Sequence, residues 1–537
     1  MISVIATNIT SPLGYTTVEN YKAVLSGCSA LKRHDSLWGL PEPFAASLFS
    51  EEQRRELAIE GYTFFESIAI RSIRTALTYT SLGNEFSRIV LILSTTKGNI
   101  EVLGEERYYP SKAAQRIAEA IGLETKPIVV CNACVSGLSA QLLANHLLSA
   151  NLYDYAIVVG AEVQSKFIVS GFQSLKAVSE EPCRPFDIER NGLNPSEAAA
   201  TIVFARTFNE ERWCLMDGAT CNDAYHNVSP SPQGEGLTNA INAVMKGRDK
   251  LLLATVCAHG TATLYNDQME SKAIERAELS NIPLSALKGY FGHTMGAAGM
   301  LETILTMIAT DEGLVLPSKG FTEPGVSGKV SISNEPQKTD KRAFLKIMSG
   351  FGGCNVAAYY AKTTGNGQEK TSKITLAKTH TIKISSEDGK TLTDIYKEQI
   401  GDYPKFYKMD ILSRLAFVAA ELLKVQEGSP LILFNHSSSI VADRQFLDTI
   451  KDAENFFPSP SVFVYTLPNI TTGEVAIRHH LQGETSFYIL PDKDEALMQQ
   501  ILEASLAGTN ATTVISGWVD AESETSYECE LSTYNII

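Results

Sequence analysis

Short apolar runs alternate with amphipathic stretches through the first two thirds of the chain. The runs at residues 89–93 and 155–159 have the length of strands and predict buried β-strands. Residues 61–77 place apolar side chains at the i, i+3, i+4 spacing of one helix face. Strands and helices that alternate over this length predict a layered α/β fold with buried sheets.

The pattern is interrupted at residues 364–373. This stretch is polar, contains two glycines and has no apolar side chain. Such a composition predicts a flexible linker. About 165 residues follow it, with fewer glycines and no obvious catalytic cluster.

Composition and charge narrow the class of protein. The chain has 537 residues, 44 % hydrophobic and 20 % charged, which is typical of a globular protein. Its net charge of −15 argues against a general nucleic-acid binder, which needs a basic surface. Nine scattered cysteines indicate free thiols in a reducing cytoplasm. We expect neither a membrane span nor a signal peptide, since the apolar runs are short and no basic segment precedes the first of them.

A candidate nucleophile lies in residues 126–138, which are predicted to form a strand at 128–130, a tight turn and a helix. Cys134 would lie at the start of that helix, where free N–H groups and the helix dipole favour a thiolate. Two alternatives remain open at this point. Cys131 and Cys134 also have the spacing of a redox pair or of half a zinc site, and both could simply be small buried residues.

Two histidines stand beside glycines at predicted strand ends. His259 lies in Ala-His-Gly-Thr-Ala-Thr at 258–263, and His293 lies in the glycine- and alanine-rich stretch 288–302. Together with a cysteine at a helix start, they suit acyl transfer with carbon–carbon bond formation. A thiolate would hold an acyl group, and two neutral imidazoles would donate hydrogen bonds to a developing enolate. This chemistry needs no metal.

These three segments together resemble the β-ketoacyl-acyl-carrier-protein synthases, the condensing enzymes of the thiolase superfamily. The family's A-C-x-x-G turn matches 133–137, and its A-H-G-T-x-T block matches 258–263 with Asp267 and Glu270. Its K-x-x-x-G-H-x-x-G-A-A-G-x-x-E block matches 288–302. Further matches follow in family order at 11–14, 184–187, 197–198 and 350–353. The resemblance covers residues 1 to about 362.

The resemblance implies roles for five catalytic residues. Cys134 would accept the acyl group. His259 and His293 would bind the malonyl thioester carbonyl and promote decarboxylation. Lys288 and Glu302 would form a supporting charged pair, although the pair could also be a buried ion pair that only holds the loop.

The resemblance also implies a substrate channel. Thr261 and Thr263 would line the phosphopantetheine tunnel, Phe351 would be the gate beside Cys134, and Gly352 belongs to the same glycine-rich loop. No intrinsic cofactor or metal is expected, because phosphopantetheine arrives on the acyl carrier protein. One departure from the family pattern is Ala262, where glycine is usual, and another is Cys354, where many relatives have threonine.

The region after the linker resembles only the first half of such a synthase. Residues 408–423 look like its first long helix, 431–439 parallel 90–96, and 514–519 parallel 158–163. Residues 458–477 are taken to parallel the nucleophile turn, which places Ile470 opposite Cys134. We therefore expect an inactive half-domain, similar to the ketosynthase-like N-terminal domains encoded in aryl-polyene and flexirubin-type pigment clusters. The single histidine and the histidine pair of this region, at 436, 479 and 480, are expected at the surface or in packing contacts.

The predicted architecture is therefore α/β, with the duplicated αβαβα layers of the thiolase fold plus an inactive half of that fold. Its predicted divisions are a nucleophile half at 1–210, a two-histidine half at 211–364, a linker at 365–373 and the half-domain at 374–537. The implied activity is that of a 3-oxoacyl-carrier-protein synthase, an acyltransferase in a specialised aryl-polyene or polyketide-like pathway. The alternatives are housekeeping fatty-acid elongation and a chain-length-factor-like partner subunit.

The implied partners are an acyl carrier protein and a second synthase-like subunit. Family members dimerise through a continuous central sheet, so a homodimer or a heterodimer is expected. Carrier proteins are acidic, which requires a local basic patch on a chain of net charge −15. Lys32, Arg33 and Arg184 are candidates for that patch.

Overall fold

The computed structural model describes residues 1–82, 86–206, 211–363 and 374–537. The predicted linker at 365–373 lies outside the described residues, and so does the chain just before the predicted division at 210. No helix in the described ranges is both long and apolar enough to cross a membrane.

The strands in chain order are β1 Ile2–Thr10, β2 Lys32–His34, β3 Phe44–Ala46, β4 Ile89–Ser94, β5 Ile128–Val130, β6 Tyr155–Glu162, β7 Ala198–Ala205, β8 Arg212–Asn222, β9 Leu253–Cys257, β10 Pro283–Ser285, β11 Leu314–Val315, β12 Ser331–Ile332, β13 Gln337–Lys338, β14 Ala343–Gly350, β15 Cys354–Thr363, β16 Leu376–Ser385, β17 Leu431–Asn435, β18 Thr485–Ile489, β19 Thr513–Ser523 and β20 Ser526–Ile536. The helices are α1 Thr17–Leu25, α2 Glu51–Leu57, α3 Phe64–Leu77, α4 Pro110–Ala120, α5 Ser136–Ser149, α6 Lys166–Ser174, α7 Glu235–Met245, α8 Leu264–Arg276, α9 Lys288–Phe291, α10 Ala298–Asp311, α11 Leu392–Gln399, α12 Ile411–Leu423, α13 Ile440–Asp448, α14 Pro460–Tyr465, α15 Ile470–His479 and α16 Glu495–Leu506.

The helix and strands predicted from periodicity are present. Helix α3 begins after Thr63, whose side chain accepts from the backbone of Glu66 while the Glu66 carboxylate accepts from the backbone of Thr63. This capping box satisfies two amides that the first turn would otherwise leave free. Every residue of β4 is buried, as the continuous apolar run predicts for a strand covered on both faces.

One sheet of sixteen strands runs through the molecule, in the order β12-β10-β9-β14-β15-β8-β1-β7-β6-β4-β5-β18-β17-β19-β20-β16. Helices cover both faces of this sheet, and the two largest apolar clusters lie one on each side of it. The layered α/β architecture predicted from the sequence is therefore confirmed.

The last region repeats the pairing of the first half. Strand β4 pairs in parallel with β5 and β6, and β17 pairs in parallel with β18 and β19. Antiparallel pairs then follow in both halves, β6 with β7 and β19 with β20. Residues 374–537 thus have the strand topology of residues 1–206.

The first half, residues 1–206, and the half-domain, residues 374–537, are joined by a pair of strands. Strand β5 pairs antiparallel with β18, with Val130 opposite Tyr488 and Val129 opposite Ile489. The Asn132 side chain extends the ladder by accepting from the Phe487 N–H at 2.8 Å. The continuous sheet that the resemblance assigns to two subunits is therefore formed here within a single chain.

The predicted counterpart of the nucleophile turn is wrong. By topology the counterpart of β5 is β18, and the counterpart of α5 is α16. Ile470 lies one element earlier, at the start of α15, and is not opposite Cys134. The apolar and small residues of 458–477 imitate the turn locally, but the parallel pairing of β18 with β17 determines the register. The turn after β18 reads Leu-Pro-Asp-Lys-Asp, without a cysteine, so the half-domain still lacks a nucleophile at that position.

Candidate active site

Cys134 lies in a sharp turn between β5 and α5. A single 3-10 turn, Ala133–Val135, joins the strand to the helix, and Ala133 has a φ of +47°. A left-handed alanine is strained, and such strain concentrates at functional turns. At the start of α5, a Cβ on Gly137 would lie 2.8 Å from the Gly296 carbonyl oxygen. The glycine therefore lets the His293 loop pack against the nucleophile helix.

The thiol of Cys134 is not the low-pKa thiol that its place at a helix start predicts. Burial raises its pKa to about 12, and the nearby charge of Lys288 only partly opposes this effect. Transfer out of water raises the free energy of the thiolate by more than the helix dipole lowers it. The thiol form of Cys134 is therefore favoured over the thiolate.

His259 follows directly from strand β9. Its backbone N–H and that of Gly260 both donate to the carboxylate of Glu270, at 2.5 and 2.8 Å, which fixes the turn. The ammonium of Lys288 lies 3.3 Å from the His259 Nδ1 and donates to the His259 carbonyl at 2.6 Å. Because an ammonium can only donate, Nδ1 is the acceptor and Nε2 carries the proton.

His293 also carries its proton on Nε2, but a different contact fixes the proton there. Its Nδ1 accepts from the Met295 N–H at 3.2 Å, which leaves the proton on Nε2. That Nε2 is buried and has no hydrogen-bond partner among the described residues. The two imidazole rings are 5.1 Å apart at 79°, and burial followed by the charge of Lys288 lowers the pKa of both well below the usual value. Two neutral N–H donors therefore face the same space.

Beneath His259 lies a buried charged cluster of three residues. Glu302 accepts from Lys288 at 2.7 Å through one oxygen and from Lys346 at 2.7 Å through the other. The Lys346 side chain is completely buried. The family motifs contain Lys288 and Glu302, whereas Lys346 lies outside them and was not predicted. The available signal was a lone lysine within the apolar strand β14.

The predicted substrate residues divide into two groups. Thr261 and Thr263 have their hydroxyl oxygens 2.9 Å apart and line a cavity of about 290 Å³ that also exposes Phe351 and Cys134. Gly352 does not line that cavity. It has a φ of +85°, and its role is to turn the loop that carries Phe351.

Ala262 confirms that its position favours glycine. Its φ is +63°, in the left-handed region, so the methyl group costs about 1–2 kcal/mol relative to glycine. The side chain is nevertheless buried, in contact with Leu31 and Cys183. The substitution therefore removes no group that faces the cavity.

Hydrogen bonds connect the half-domain to the loop that carries Phe351. The Asn469 side chain donates to the Phe351 carbonyl at 2.9 Å, and the Gly352 N–H donates to the Asn227 carbonyl at 2.7 Å. Asn227 in turn donates to the buried carboxylate of Glu474. None of these contacts was predicted, because they join residues more than a hundred positions apart in the chain.

The other cysteine and the remaining histidines have structural surroundings. The Cys131 sulfur lies 3.6 Å from the Thr96 carbonyl, and burial raises the pKa of its thiol well above the usual value. His436 stacks on Tyr109, and His479 lies 3.4 Å from a carboxylate oxygen of Glu421. Neither the redox-pair interpretation of Cys131 nor a metal role for these histidines gains support.

A metal could be considered at the main site itself. The sulfur of Cys134 and one nitrogen from each of His259 and His293 lie within 4.8 Å of one another. Three such groups could hold a transition metal. The ammonium groups of Lys288 and Lys346 lie directly behind His259, and their charge opposes a cation there. We therefore assign no metal to this site.

The fold and the site define a thiolase-like α/β protein with a Cys-His-His centre on a duplicated sheet. Residues 70–208 match the family model for the β-ketoacyl synthase N-terminal domain, and residues 214–322 match the model for its C-terminal domain. The matched region, residues 70–322, belongs to the β-ketoacyl synthase family.

Known relatives place the extra half-domain in context. The 3-oxoacyl-[acyl-carrier-protein] synthase 2 of Mycobacterium leprae (strain TN) is 30 % identical over 48 % of this chain and 66 % of its own length. The chain thus spans somewhat less than two thirds of this curated relative. The solved structure "PfaC Keto synthase-Chain length factor" covers 99 % of this chain and 78 % of its own, with a TM-score of 0.81 and 14 % identity. A type II PKS ketosynthase solved with its acyl-carrier protein covers 67 % of this chain and 99 % of its own, with a TM-score of 0.58 and 20 % identity.

Proposed function

We propose that the chain is a β-ketoacyl-carrier-protein synthase that joins an acyl group held on Cys134 to a malonyl unit with loss of CO2. The observation that carries this proposal is the convergence of the Cys134 sulfur with two neutral imidazoles within 4.8 Å. Their Nε2–H groups suit an enolate oxygen, whose charge appears only as the carboxylate leaves.

The reaction would start with transfer of the acyl group. The Cys134 sulfur attacks the thioester carbonyl of the acyl carrier, the carbon–sulfur bond to the carrier's pantetheine breaks, and the thiol proton passes to the leaving sulfur. The high pKa of Cys134 means that this proton has to be removed during the attack, because little thiolate is present beforehand.

Condensation would follow on the same face. The malonyl thioester carbonyl accepts from the Nε2–H groups of His259 and His293, its carboxylate leaves as CO2, and the bonding electrons form the enolate. The enolate carbon then attacks the acyl thioester on Cys134, which leaves as a thiolate and takes up a proton. Lys288 supports the step by fixing the proton of His259 on Nε2.

Mass spectrometry provides the direct test. After incubation with an acyl-loaded carrier protein, we expect the acyl mass on the peptide that contains Cys134, at the sulfur of that residue. Cys131 lies three residues away and serves as an internal control, because its buried thiol bonds to Thr96. An acyl group on Cys131, or on neither sulfur, would contradict the proposed function.

The half-domain would act as a built-in chain-length factor. Behind Phe351 lies Phe172, at 6.2 Å between ring centroids, and behind that lies Phe463 of the half-domain, at 5.3 Å. A Cβ on Gly171 would overlap the Phe463 ring, so the ring fills the space next to that backbone. Phe351 and Phe172 line the cavity, so this aromatic cluster would close the cavity on the side of the half-domain. The intact Cys134, His259 and His293 disfavour the alternative of an inactive partner subunit.

Phe463→Ala tests the role of the stack. Removal of the ring should open room behind Phe172 and shift the products to longer chains by at least one two-carbon unit, measured by mass spectrometry of the product thioesters. Phe446→Ala is the matched control, because the Phe446 ring lies 5.2 Å from the Phe463 ring and packs on Phe167. Each truncation should lower the free energy of unfolding by about 3–5 kcal/mol. Because this cost is common to both variants, only a difference in product length reports on the role of Phe463, and equal product lengths would contradict it.

The partner and the pathway belong to the same proposal. The carrier would need a basic surface, but Arg33 pairs with Glu180 at 2.7 Å and Arg184 pairs with Glu189. These two residues are therefore poor candidates for carrier docking.

The fused half-domain favours a specialised polyene-type or polyketide-like pathway over housekeeping elongation. A clear preference for conjugated over saturated acyl carriers in the acylation assay would support this pathway. Cytoplasmic location stays a prediction.

A further inference from the structure

Lys346 carries a completely buried charge that the proposed mechanism does not use. Its side chain is 0 % exposed, and strand β14, which carries it, continues directly into the loop of Phe351. Burial lowers its pKa, but the neighbouring Cys257 and Glu302 more than compensate and raise it above the usual value. The ammonium form of Lys346 is therefore favoured, and the Glu302 carboxylate pairs with it.

The contacts of Lys346 join three parts of the site. Its ammonium donates to Glu302 of α10 at 2.7 Å and to the Ala258 carbonyl at 3.1 Å, immediately before His259. It lies in addition 3.4 Å from the Cys257 carbonyl oxygen at the end of β9. A single side chain thus holds together the strand of His259, the helix of Glu302 and the strand that leads to the gate.

The net charge of the cluster formed by Lys288, Lys346 and Glu302 shows what Lys346 adds to it. With Lys288 alone, Glu302 would balance the cation and the cluster would be neutral. With Lys346 present, the two ammonium groups and one carboxylate carry a net charge of +1 behind His259. Lys346 also occupies the second oxygen of Glu302, so Lys288 is free to aim one of its donors at the His259 Nδ1.

We propose that Lys346 is a positioning residue that saturates Glu302, so that Lys288 keeps His259 neutral with its proton on Nε2. This inference deepens the proposed function and rests on it. It assigns a role to a residue that does not touch the substrate and acts through two others.

The groups around His259 determine the sign of the expected effect. The titratable groups around His259 are Lys288 from α9, Lys346 from β14, Glu270 from α8, His293 and Cys134, and Glu302 of α10 pairs with both lysines. Loss of Lys346 lowers the charge of the lysine–glutamate cluster from +1 to 0, which makes protonation of His259 easier. The protonated ring cannot accept from Lys288, so the active form would be lost at a higher pH than in the wild type.

The test is the pH profile of malonyl-carrier-protein decarboxylation, measured as CO2 release in the full-length chain. Lys346→Met should move the acid limb to higher pH by roughly one unit. The double variant Lys346→Met with Glu302→Gln restores the net charge of +1 and should return the limb to its wild-type position. Lys362→Met is the matched control, because it removes a Lys–Asp pair at the outer end of α10 and should leave the limb in place.

Several outcomes would overturn the inference. A uniform loss of rate in Lys346→Met with an unmoved limb would make Lys346 a packing residue only. A limb that stays shifted in the double variant would show that Lys346 does not act through Glu302. If Lys346→Met does not fold, Glu302→Gln alone raises the cluster charge to +2 and should move the limb to lower pH, and an unmoved limb there counts against the proposal.

A second readout separates this inference from the proposed function. The histidine 13Cε1 resonance of His259, assigned through His259→Gln, can be titrated without any substrate. It should titrate at a higher pH in Lys346→Met than in the wild type. If the wild type releases no CO2, the proposed function fails, while the resonance still reports whether Lys346 controls His259.

Discussion

Cys134→Ala should abolish condensation and leave the loss of CO2 from malonyl carrier protein. Without the sulfur no acyl group can be held, so product formation should fall by at least about 10³-fold, as for other nucleophile removals. The two Nε2–H donors belong to His259 and His293, and neither depends on the thiol for its hydrogen bonds. The two activities are separable because the nucleophile and the enolate donors come from different turns of the fold.

The measurement pairs product analysis by mass spectrometry with CO2 release in the same samples. Cys131→Ala is the control and should keep both activities, since its sulfur bonds to the Thr96 carbonyl and not to the cavity. Condensation that survives in Cys134→Ala would remove Cys134 from the mechanism. Loss of both activities would mean that the thiol also holds the histidine loops in place.

Lys97→Met should destabilise the junction between the catalytic region and the half-domain. Lys97 lies 3.2 Å from Asp443 of α13, with side chains 4 % and 2 % exposed, and it also donates to the Thr466 carbonyl. Tyr108 and Ser439 donate to the same carboxylate. Without the ammonium, Asp443 is a buried charge without a cation, and loss of one partner of such a pair costs about 3–5 kcal/mol.

Urea unfolding of the full chain measures this cost. The double variant Lys97→Met with Asp443→Leu should recover most of the loss, because an apolar pair of similar volume replaces both charges. Lys126→Met is the matched control. Lys126 pairs with Asp492 and Asp494 across the same junction, but it is about half exposed, so its loss should change the free energy of unfolding by at most about 1 kcal/mol. Equal effects of Lys97→Met and Lys126→Met would contradict the argument from burial.

The junction shows what the half-domain contributes to the catalytic region. In a sheet that continues through β5, the strand edge has to be covered, because free edges pair with other chains. Strand β18 covers it from within the same chain, and α16 packs beside α5. The half-domain also supplies Asn469 and Phe463 to the gate side of the cavity.

The sequence by itself determined the main helices and strands and singled out the residues that form the candidate site. The apolar run of β4 and the capped, periodic helix α3 are local patterns, and they form as predicted. Cys134, His259 and His293 stand in motifs whose residues lie close together in the chain, so each turn could be recognised without its neighbours. The α/β class followed from the alternation of these elements.

Only the tertiary structure decided what depends on distant partners. The neutral thiol of Cys134 results from burial by many segments, which outweighs the local effect of a helix start. The role of Lys346 requires α10 and β9 beside β14, and no short motif contains all three. The counterpart of the nucleophile turn was misplaced at Ile470, because strand register is determined by pairing with β17 and not by local composition. The covering of β5 by β18 joins residues more than 350 positions apart, and such a contact leaves no periodic signal in the sequence.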